Sequence, residues 1–565
     1  MIDREPRLRR AAWTTLPAIA AGAVGLASLA VSAIPFERVQ RAVDAFAADG
    51  HAESFTAALH HAAVVKVRLV AIVLLASAPV LFRFRDAIAA SVASETADVI
   101  AYLSDWTPVR LTTSVVLAMI TAIGAIVRAL ALRQPVNYDE AFTFITYVRR
   151  PLWVSVSDYS YPNNHVLHTM LAHASTTLFG IAPPALRLPA FAAGVALIPL
   201  TFIAARKLCD ETTAIVAAAL AATAEVLIAF SVLARGYTLV TAWFLLMLVF
   251  AVDVAVRDDR RAWTPFVIAA ALGFFTIPTF VYAFAVVSAW ILWTAPRTAG
   301  SLAKAAVATA VLVALLYLPI LLVSGIRAGA AYGYGSGDEG GLIQFLRAWW
   351  TDLARGANPF AAALVAIAAG VGGVTSGPHV RRLAIVSIGC AAMAVVAQRI
   401  VMPPRVWLFA VPVLLMLVAS AGATVVRHRR PIVLPIALLI TLDAFRGRPA
   451  QYTEVYGPEE IAMTRDVEPA TVFLKDRLKP EDAVATAFPT IDLVDYYFRL
   501  HTMPIDALRN PPHAPARTFI VANDRAGNDV GSILREKHLD IGPERPQLLM
   551  RAEFNAVYLL SERSQ

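Results

Sequence analysis

Charge is scarce in this chain. Asp, Glu, Lys and Arg make up only 16% of its 565 residues, while 58% are hydrophobic. A water-soluble chain of this length needs far more charge to cover its surface, so an ordinary soluble globular protein is excluded. Cysteine is nearly absent. Cys209 and Cys390 lie far apart, in or beside apolar segments, and neither a disulfide framework nor a cysteine metal site is expected from them. The sequence has no internal repeat, no low-complexity tract and no Walker A or GxGxxG phosphate loop, which removes the common nucleotide-binding classes. The net charge of +8 does not point to nucleic acid. Its arginines gather in short connections between apolar runs, where they set membrane orientation.

Apolar runs, by contrast, are abundant. Stretches of roughly 18 residues or more, each long enough to cross a bilayer core, recur along most of the chain. The expected spans are 11–34, 62–82, 110–131, 186–205, 212–233, 237–256, 264–278, 279–294, 303–323, 359–376, 382–400, 405–426 and 431–444, about thirteen in all. The continuous run 264–294 is divided at Pro278, because one straight helix of that length overshoots the bilayer. Arg4 to Arg10, followed by an apolar stretch to Ile34, has the order of a signal peptide. The stretch exceeds the roughly 7–15 residues of a signal core, so an uncleaved anchor is expected.

Orientation follows from Lys and Arg in the connections. Arg4, Arg7, Arg9 and Arg10 hold the N-terminus in the cytoplasm. Alternation then puts Arg83 and Arg85, Arg206 and Lys207, Arg257, Arg260 and Arg261, Arg297 and Lys304, Arg381 and Arg382, and Arg427, Arg429 and Arg430 on the same side. This requires that 165–180, which carries His165, His168 and His173, lie in the outer interface as an amphipathic helix rather than span. Two long loops then face out, 132–185 and 324–358. From about 445 charge and proline rise and no run is long enough to span. Short strand-like runs at 482–488, 517–522 and 554–560, between helical patterns at 468–478 and 528–538, predict a small α/β domain outside the membrane. The expected fold is thus an all-α polytopic membrane protein with a small C-terminal α/β domain. Its divisions are an N-terminal two-helix hairpin (1–108), a transmembrane core (109–444) and the outer domain (445–565).

Candidate chemistry collects on the outer side. Asp139 and Glu140 stand at the mouth of a helix at the membrane boundary, where adjacent carboxylates are costly to bury and their pKa values are raised. That suits a general base acting on a hydroxyl; the plainer alternative is a solvated pair of loop charges. Asn164 and His165 open the interfacial helix, whose N-terminal N–H groups favour an anion; otherwise they are interfacial polar residues. Arg187 begins the next span at the same surface, where Arg suits phosphate although snorkelling to a lipid headgroup is the plainer account; Arg235 and Arg405 lie outside against the positive-inside trend, for which a phosphate at the outer bilayer surface is one reason. Lys66 and Arg68, near the outer end of the second span, are assigned to snorkelling. Tyr138, Tyr159, Tyr161 and Tyr237 flank these charges and suit stacking on a sugar.

In order and spacing these residues resemble a known group. Asn137-Tyr-Asp-Glu-Ala141 looks like the Asp-Glu motif opening the first outer loop of that group. Asn164-His165 and the following helix to Leu178-Phe-Gly180 are similar to its Asn-His-Pro-Pro-Leu to Phe-Gly stretch. Arg187-Leu-Pro189, Ala204-Ala-Arg-Lys-Leu208 and Ala234-Arg-Gly-Tyr237 follow in its order. The group is the GT-C class of membrane glycosyltransferases, which includes the protein O-mannosyltransferases and the aminoarabinose transferases that modify lipid A. The resemblance covers roughly 110–430. It departs at Val166 and Leu167, where prolines are usual, and at Val406-Trp407, where Arg-Tyr is usual. No inserted domain of the eukaryotic mannosyltransferase kind is present.

The resemblance implies a sugar donor on a polyprenyl phosphate, inversion at the anomeric carbon, and an acceptor hydroxyl on a lipid, glycan or protein. Asp139 would be the acceptor-side base with Glu140 supporting it. Asn164, His165, Arg187, Arg235, Tyr237 and Arg405 would hold the donor. No cofactor is required and no metal site is assigned, with a divalent ion at Asp139 and Glu140 left open. The implied setting is the inner membrane of a bacterium, with the site facing the periplasm. The rival reading is a transporter or flippase of lipid-linked saccharides. It requires charges along a path through the midplane and broken helices in both halves, whereas here the charges gather at one face.

Overall fold

The computed structural model describes residues 5–44, 55–105, 109–325, 359–398, 402–428, 465–512, 515–523, 527–539 and 546–560, with residues 343, 347 and 525. The outer loop 324–358 beyond residue 325, apart from residues 343 and 347, and the span expected at 431–444 lie outside the described residues, as do Arg4, Arg429 and Arg430. The chain divides into two compact units. One is residues 1–107 with 318–325, and the other is 108–317 with 326–565.

In the first unit α1 (Glu5–Ser32) packs along α3 (Ala57–Arg83), joined through the short α2 (Phe36–Asp44). This is the expected pair of apolar helices. A third long helix, α4 (Arg85–Ser104), packs on both and was not foreseen. Glu95 and Asp98 interrupt its apolar pattern, so no run long enough to signal a span exists there. Lys66 and Arg68 do not simply snorkel. Lys66 Nζ donates to the Leu322 carbonyl (2.9 Å) in the last turn of α16 (Leu318–Val323), and Arg68 Nε donates to Ser32 Oγ (3.3 Å).

The second unit is built on α5 (Leu111–Leu130), α9 (Pro183–Leu208), α10 (Glu211–Thr223), α11 (Glu225–Ser231), α12 (Tyr237–Val256), α13 (Trp263–Thr276), α14 (Val281–Thr294) and α15 (Ala299–Leu316). The helices Pro359–Thr375, Pro378–Gln398 and Val411–His428 complete it. Among the described residues of the whole chain, eight helices are long and apolar enough to cross a membrane, or nine if α10 and α11 form one bent span. Pro278 breaks 264–294 where the sequence placed the break, in a 3-10 turn between α13 and α14.

The bend between α10 and α11 is 57°, and its cause is local. The carbonyls of Ala221 and Ala222 near the end of α10 accept from the guanidinium of Arg128 in α5 at 3.0 Å each, and Arg128 Nε reaches Ser231 Oγ in α11 at 3.1 Å. A fully buried arginine thus satisfies backbone groups that the break in the helix exposes. Gly194 of α9 lets this region close, because a Cβ there would collide with Ser231.

Charge marks the two ends of α9. Arg187 lies near its start and Lys207 near its end, 20 residues apart. At 1.5 Å per residue that is roughly 30 Å, a bilayer core. At the far end Lys207 pairs with Asp253 of α12 at 2.5 Å, and Arg257 adds a longer contact to the same carboxylate. Helix α8 (Val166–Phe179) has 14 residues, roughly 21 Å, which is too short to cross.

The C-terminal region carries a four-stranded sheet in the order β1 (Ala483–Ala485), β2 (Thr518–Ala522), β4 (Ala556–Leu560), β3 (Gln547–Arg551). Strands β1 and β2 are parallel and the rest antiparallel. The strands expected near 482–488, 517–522 and 554–560 are present, and β3 was not foreseen. Helix 490–500 is also new. Its inward face is continuous with the core of loop 132–185 and the start of α9, since Val136, Ala141, Phe144 and Leu186 share one apolar cluster with Leu493, Tyr496 and Tyr497.

Candidate active site

The Asp-Glu motif begins α6 (Tyr138–Thr143) with a capping box. The Glu140 amide donates to Asn137 Oδ1 (2.9 Å), and the Asn137 amide donates to Glu140 Oε2 (3.0 Å). That reciprocal pair fixes the first turn and sends the two acidic side chains to different neighbours.

Glu140 is wholly buried. Its carboxylate accepts from Arg187 Nε (2.8 Å) and NH2 (2.7 Å), from the Asn137 amide and from the Ala234 amide (2.6 Å). Arg187 is equally buried. Its remaining N–H groups go to the carbonyls of Leu132 (2.9 Å), Gln134 (2.8 Å) and Pro135 (2.9 Å). The expectation that Arg187 holds phosphate does not fit this geometry, because all five guanidinium N–H groups are donated inside the protein. The pair instead joins α6, α9 and the turn carrying Arg235. Glu140 does not reach the open side of the site, so it positions rather than reacts.

Asp139 faces the other way and keeps 14% of its side chain exposed. Its Oδ1 accepts from Asn163 Nδ2 (2.9 Å), and its Oδ2 lies 3.6 Å from Arg235 NH2. Burial alone would raise the carboxyl. The guanidinium groups of Arg235 and Arg405 and the amide of Asn163 outweigh it and hold Asp139 below the ordinary carboxylate range. The raised value expected from two adjacent carboxylates is therefore corrected. Glu140 is turned away to Arg187, and Asp139 sits in the field of two cations.

Arg235 is buried beside Asp139. It donates to Thr143 Oγ1 and the Asn163 carbonyl at 3.3 Å, and to Asn163 Oδ1 at 3.2 Å. The Ala-Arg-Gly-Tyr turn needs its glycine for space: a Cβ on Gly236 would meet Thr276 at 2.8 Å and His165 at 3.1 Å. The Gly236 amide donates to His165 Nδ1 (2.8 Å), and the His165 ring stands edge-on to Tyr237 at 5.0 Å. Burial, then Arg235, His168 and Arg405, push the His165 imidazole far down, so it is neutral. His165 braces the turn through that amide bond. Arg405, in the 3-10 turn Pro404–Ala410, comes within electrostatic reach of both Asp139 and His165. Trp407, where the family pattern departs, packs on Tyr282 with ring centres 4.8 Å apart.

Asn164 does not face the site. Its buried amide donates to the carbonyls of Ser155 (2.9 Å) and Asp158 (2.7 Å) and stitches the loop. The amide that meets Asp139 and Arg235 is its neighbour Asn163, and two adjacent asparagines cannot be told apart from sequence. His168 was also passed over. It is 1% exposed, neither ring nitrogen has a hydrogen-bond partner among the described residues, and burial and Arg235 lower it to about 3. Tyr138, Phe142 and Tyr161 form a row of rings along α6, and Phe488 of the C-terminal region joins it edge-on to Tyr138 at 5.5 Å. Tyr159 packs instead on Tyr317. Among the described residues no three His, Cys, Asp or Glu side chains cluster as metal ligands.

Residues 164–322 match the family model described as dolichyl-phosphate-mannose-protein mannosyltransferase. No curated protein matches in sequence. The structure is similar to that of ArnT from Cupriavidus metallidurans in the apo state, with a TM-score of 0.56 and 14% identity, covering 79% of this chain and 99% of that one. ArnT from the same organism bound to undecaprenyl phosphate superposes with a TM-score of 0.53, again at 14% identity, over 79% of this chain and 99% of that one. The segment matched by the family model holds His165, Arg187 and Arg235. These matches show that the chain has an ArnT-like fold of the GT-C type.

Proposed function

We propose that this protein transfers a sugar from a polyprenyl-phosphate carrier to an acceptor hydroxyl, on the periplasmic face of a bacterial inner membrane, with inversion. One observation carries the reading. A partly exposed carboxylate, Asp139, lies 3.6 Å from the buried Arg235 and in the field of Arg405. That is an acceptor-side base beside two phosphate-seeking cations. The undecaprenyl phosphate named for the similar ArnT structure supports a carrier of that class.

In the reaction the acceptor oxygen attacks the anomeric carbon as its proton passes to the Asp139 carboxylate. The bond from that carbon to the phosphate oxygen breaks, and the carrier leaves as polyprenyl phosphate. Arg235 and Arg405 meet charge that grows on the leaving phosphate, which is stronger stabilisation in the transition state than in the ground state. Two fixed guanidinium groups supply the charge that a divalent ion supplies elsewhere, so no metal is invoked. Sidedness follows from Arg206, Lys207, Arg257 and Arg260 at the end of the core opposite Arg235.

Asp139→Asn is nearly isosteric and tests the base directly. Transfer should fall by about 10²–10⁴-fold in protein that still folds and inserts. Activity near wild type would remove Asp139 from the mechanism. Mass spectrometry of lipids, glycans and envelope proteins from deletion and wild-type cells would identify sugar and acceptor.

A further inference from the structure

Asn163 touches both charged partners of the proposed reaction. Its amide nitrogen donates to Asp139 Oδ1 at 2.9 Å, and its amide oxygen accepts from Arg235 NH2 at 3.2 Å. Its backbone carbonyl accepts from Arg235 NH1 at 3.3 Å and from the His165 amide at 3.0 Å. A primary amide places a donor and an acceptor on one rigid planar group. Serine has a single hydroxyl oxygen for both tasks, and aspartate would face Asp139 with a like charge.

We infer that Asn163 is a positioning residue that couples donor occupancy to acceptor activation, holding Asp139 in place while phosphate takes over the arginines that otherwise neutralise it. The inference rests on the glycosyl-transfer reading. Without phosphate, Arg235 and Arg405 stabilise the Asp139 carboxylate and oppose its taking a proton. A phosphate bound to the same arginines cancels part of that field, and the carboxylate becomes the stronger base. The hydrogen bond from Asn163 does not depend on that field, so Asp139 stays aimed at the acceptor while its basicity rises. The other titratable groups nearby are Tyr138 on the same helix, Tyr161 and Asp492 (from helix 490–500) facing Tyr138, His165 facing the two arginines, and His168 of α8 facing Arg235, which burial and Arg235 keep neutral. Burial and the adjacent carboxylates keep Tyr138 protonated, and burial with the arginines keeps His165 neutral. Asp139 is therefore the group through which the arginines exchange phosphate for a proton.

The coupling is reciprocal and is measurable without knowing the sugar. Purified full-length protein is titrated with undecaprenyl phosphate by calorimetry, in buffers of different ionisation enthalpy, across the acidic range. Wild type should take up more protons on binding than Asp139→Asn, in which that group cannot titrate. In Asn163→Ala the pH window of this extra uptake should move upward by about one pH unit, because a hydrogen bond to the charged form is lost. Asn163→Asp should bind weakly near neutrality and regain affinity in acid, where a protonated carboxyl restores one donor and one acceptor. Binding itself reports that each variant is folded, with Asn163→Ser replacing the alanine variant if that fails. If undecaprenyl phosphate does not bind the wild type, the functional reading has failed. If it binds with equal proton uptake in wild type and Asp139→Asn, that reading survives and the coupling is overturned. An unmoved window in Asn163→Ala overturns the part assigned to Asn163.

Discussion

Glu140 and Arg187 lie 47 residues apart in sequence and form a wholly buried two-pronged ion pair, at 2.7 and 2.8 Å. Breaking such a pair strands a charge without water or a partner, which costs about 3–5 kcal/mol. Arg187→Ala and Glu140→Ala should each lower the unfolding temperature in detergent markedly, and should lose activity through loss of folded protein. Asp139→Asn, one residue away, should lower that temperature less, because its ion pair with Arg235 is longer, at 3.6 Å, and its side chain is partly exposed. If Arg187→Ala raised the donor KM with stability intact, Arg187 would be the phosphate ligand that its sequence position suggested.

Arg235→Ala removes a cation from both the donor phosphate and Asp139. Donor use should weaken by about 1.5–3 kcal/mol in kcat/KM, the worth of a charged hydrogen bond. The pH profile has a definite sign. The arginines hold Asp139 below its ordinary value, so the acid limb of kcat/KM, which reports the free enzyme, lies below the range of an ordinary aspartate. With Arg235 or Arg405 replaced by alanine, the carboxyl rises and the limb moves to higher pH. Steady-state rates across pH at saturating acceptor check both parts. A limb that stays in place would mean that neither arginine acts on the base.

His168 is a buried neutral imidazole whose two nitrogens have no hydrogen-bond partner among the described residues. Unsatisfied polar groups cost about 1–3 kcal/mol when buried. His168→Leu should keep or raise thermal stability while lowering transfer, as expected of a polar group retained for the reaction beside Arg235. Lower stability together with unchanged kinetics would make it a packing residue.

The sidedness is tested by single cysteines on a background lacking Cys209 and Cys390. An impermeant reagent should label position 153 and position 488, both well exposed, from the periplasmic side. Position 257 should be labelled only after the membrane is opened. Labelling at 257 from outside would mean that α8 spans after all and would favour the transporter reading.

Much of this site was legible because a membrane chain places few charges freely. Arg235 and Arg405 stand out by breaking the orientation trend and Asp139 as a carboxylate at a helix mouth on the membrane boundary, and the structure brings all three together. What sequence could not separate were residues of like chemistry in unlike places. Asn163 and Asn164 are adjacent amides, yet one meets Asp139 and the other ties down a loop. Arg187 suits carboxylate as well as phosphate, and only the buried position of Glu140 decides between them. Helix α4 and strand β3 escaped because the apolar pattern of α4 is interrupted by charge and β3 is an exposed edge strand. The proximity of helix 490–500 to α6 is tertiary and leaves no local signature.

That proximity bears on how the protein is made. The Val136 amide donates to the Tyr497 hydroxyl at 3.0 Å across 361 residues of sequence, and Tyr496 caps the Ile181 carbonyl. At the ribosome's pace of about 5–20 residues per second, the loop bearing Asp139 emerges roughly 20–70 s before the helix that buttresses it. The growing chain therefore carries Asp139 in an unfinished pocket until helix 490–500 has been made and can fold back onto the loop.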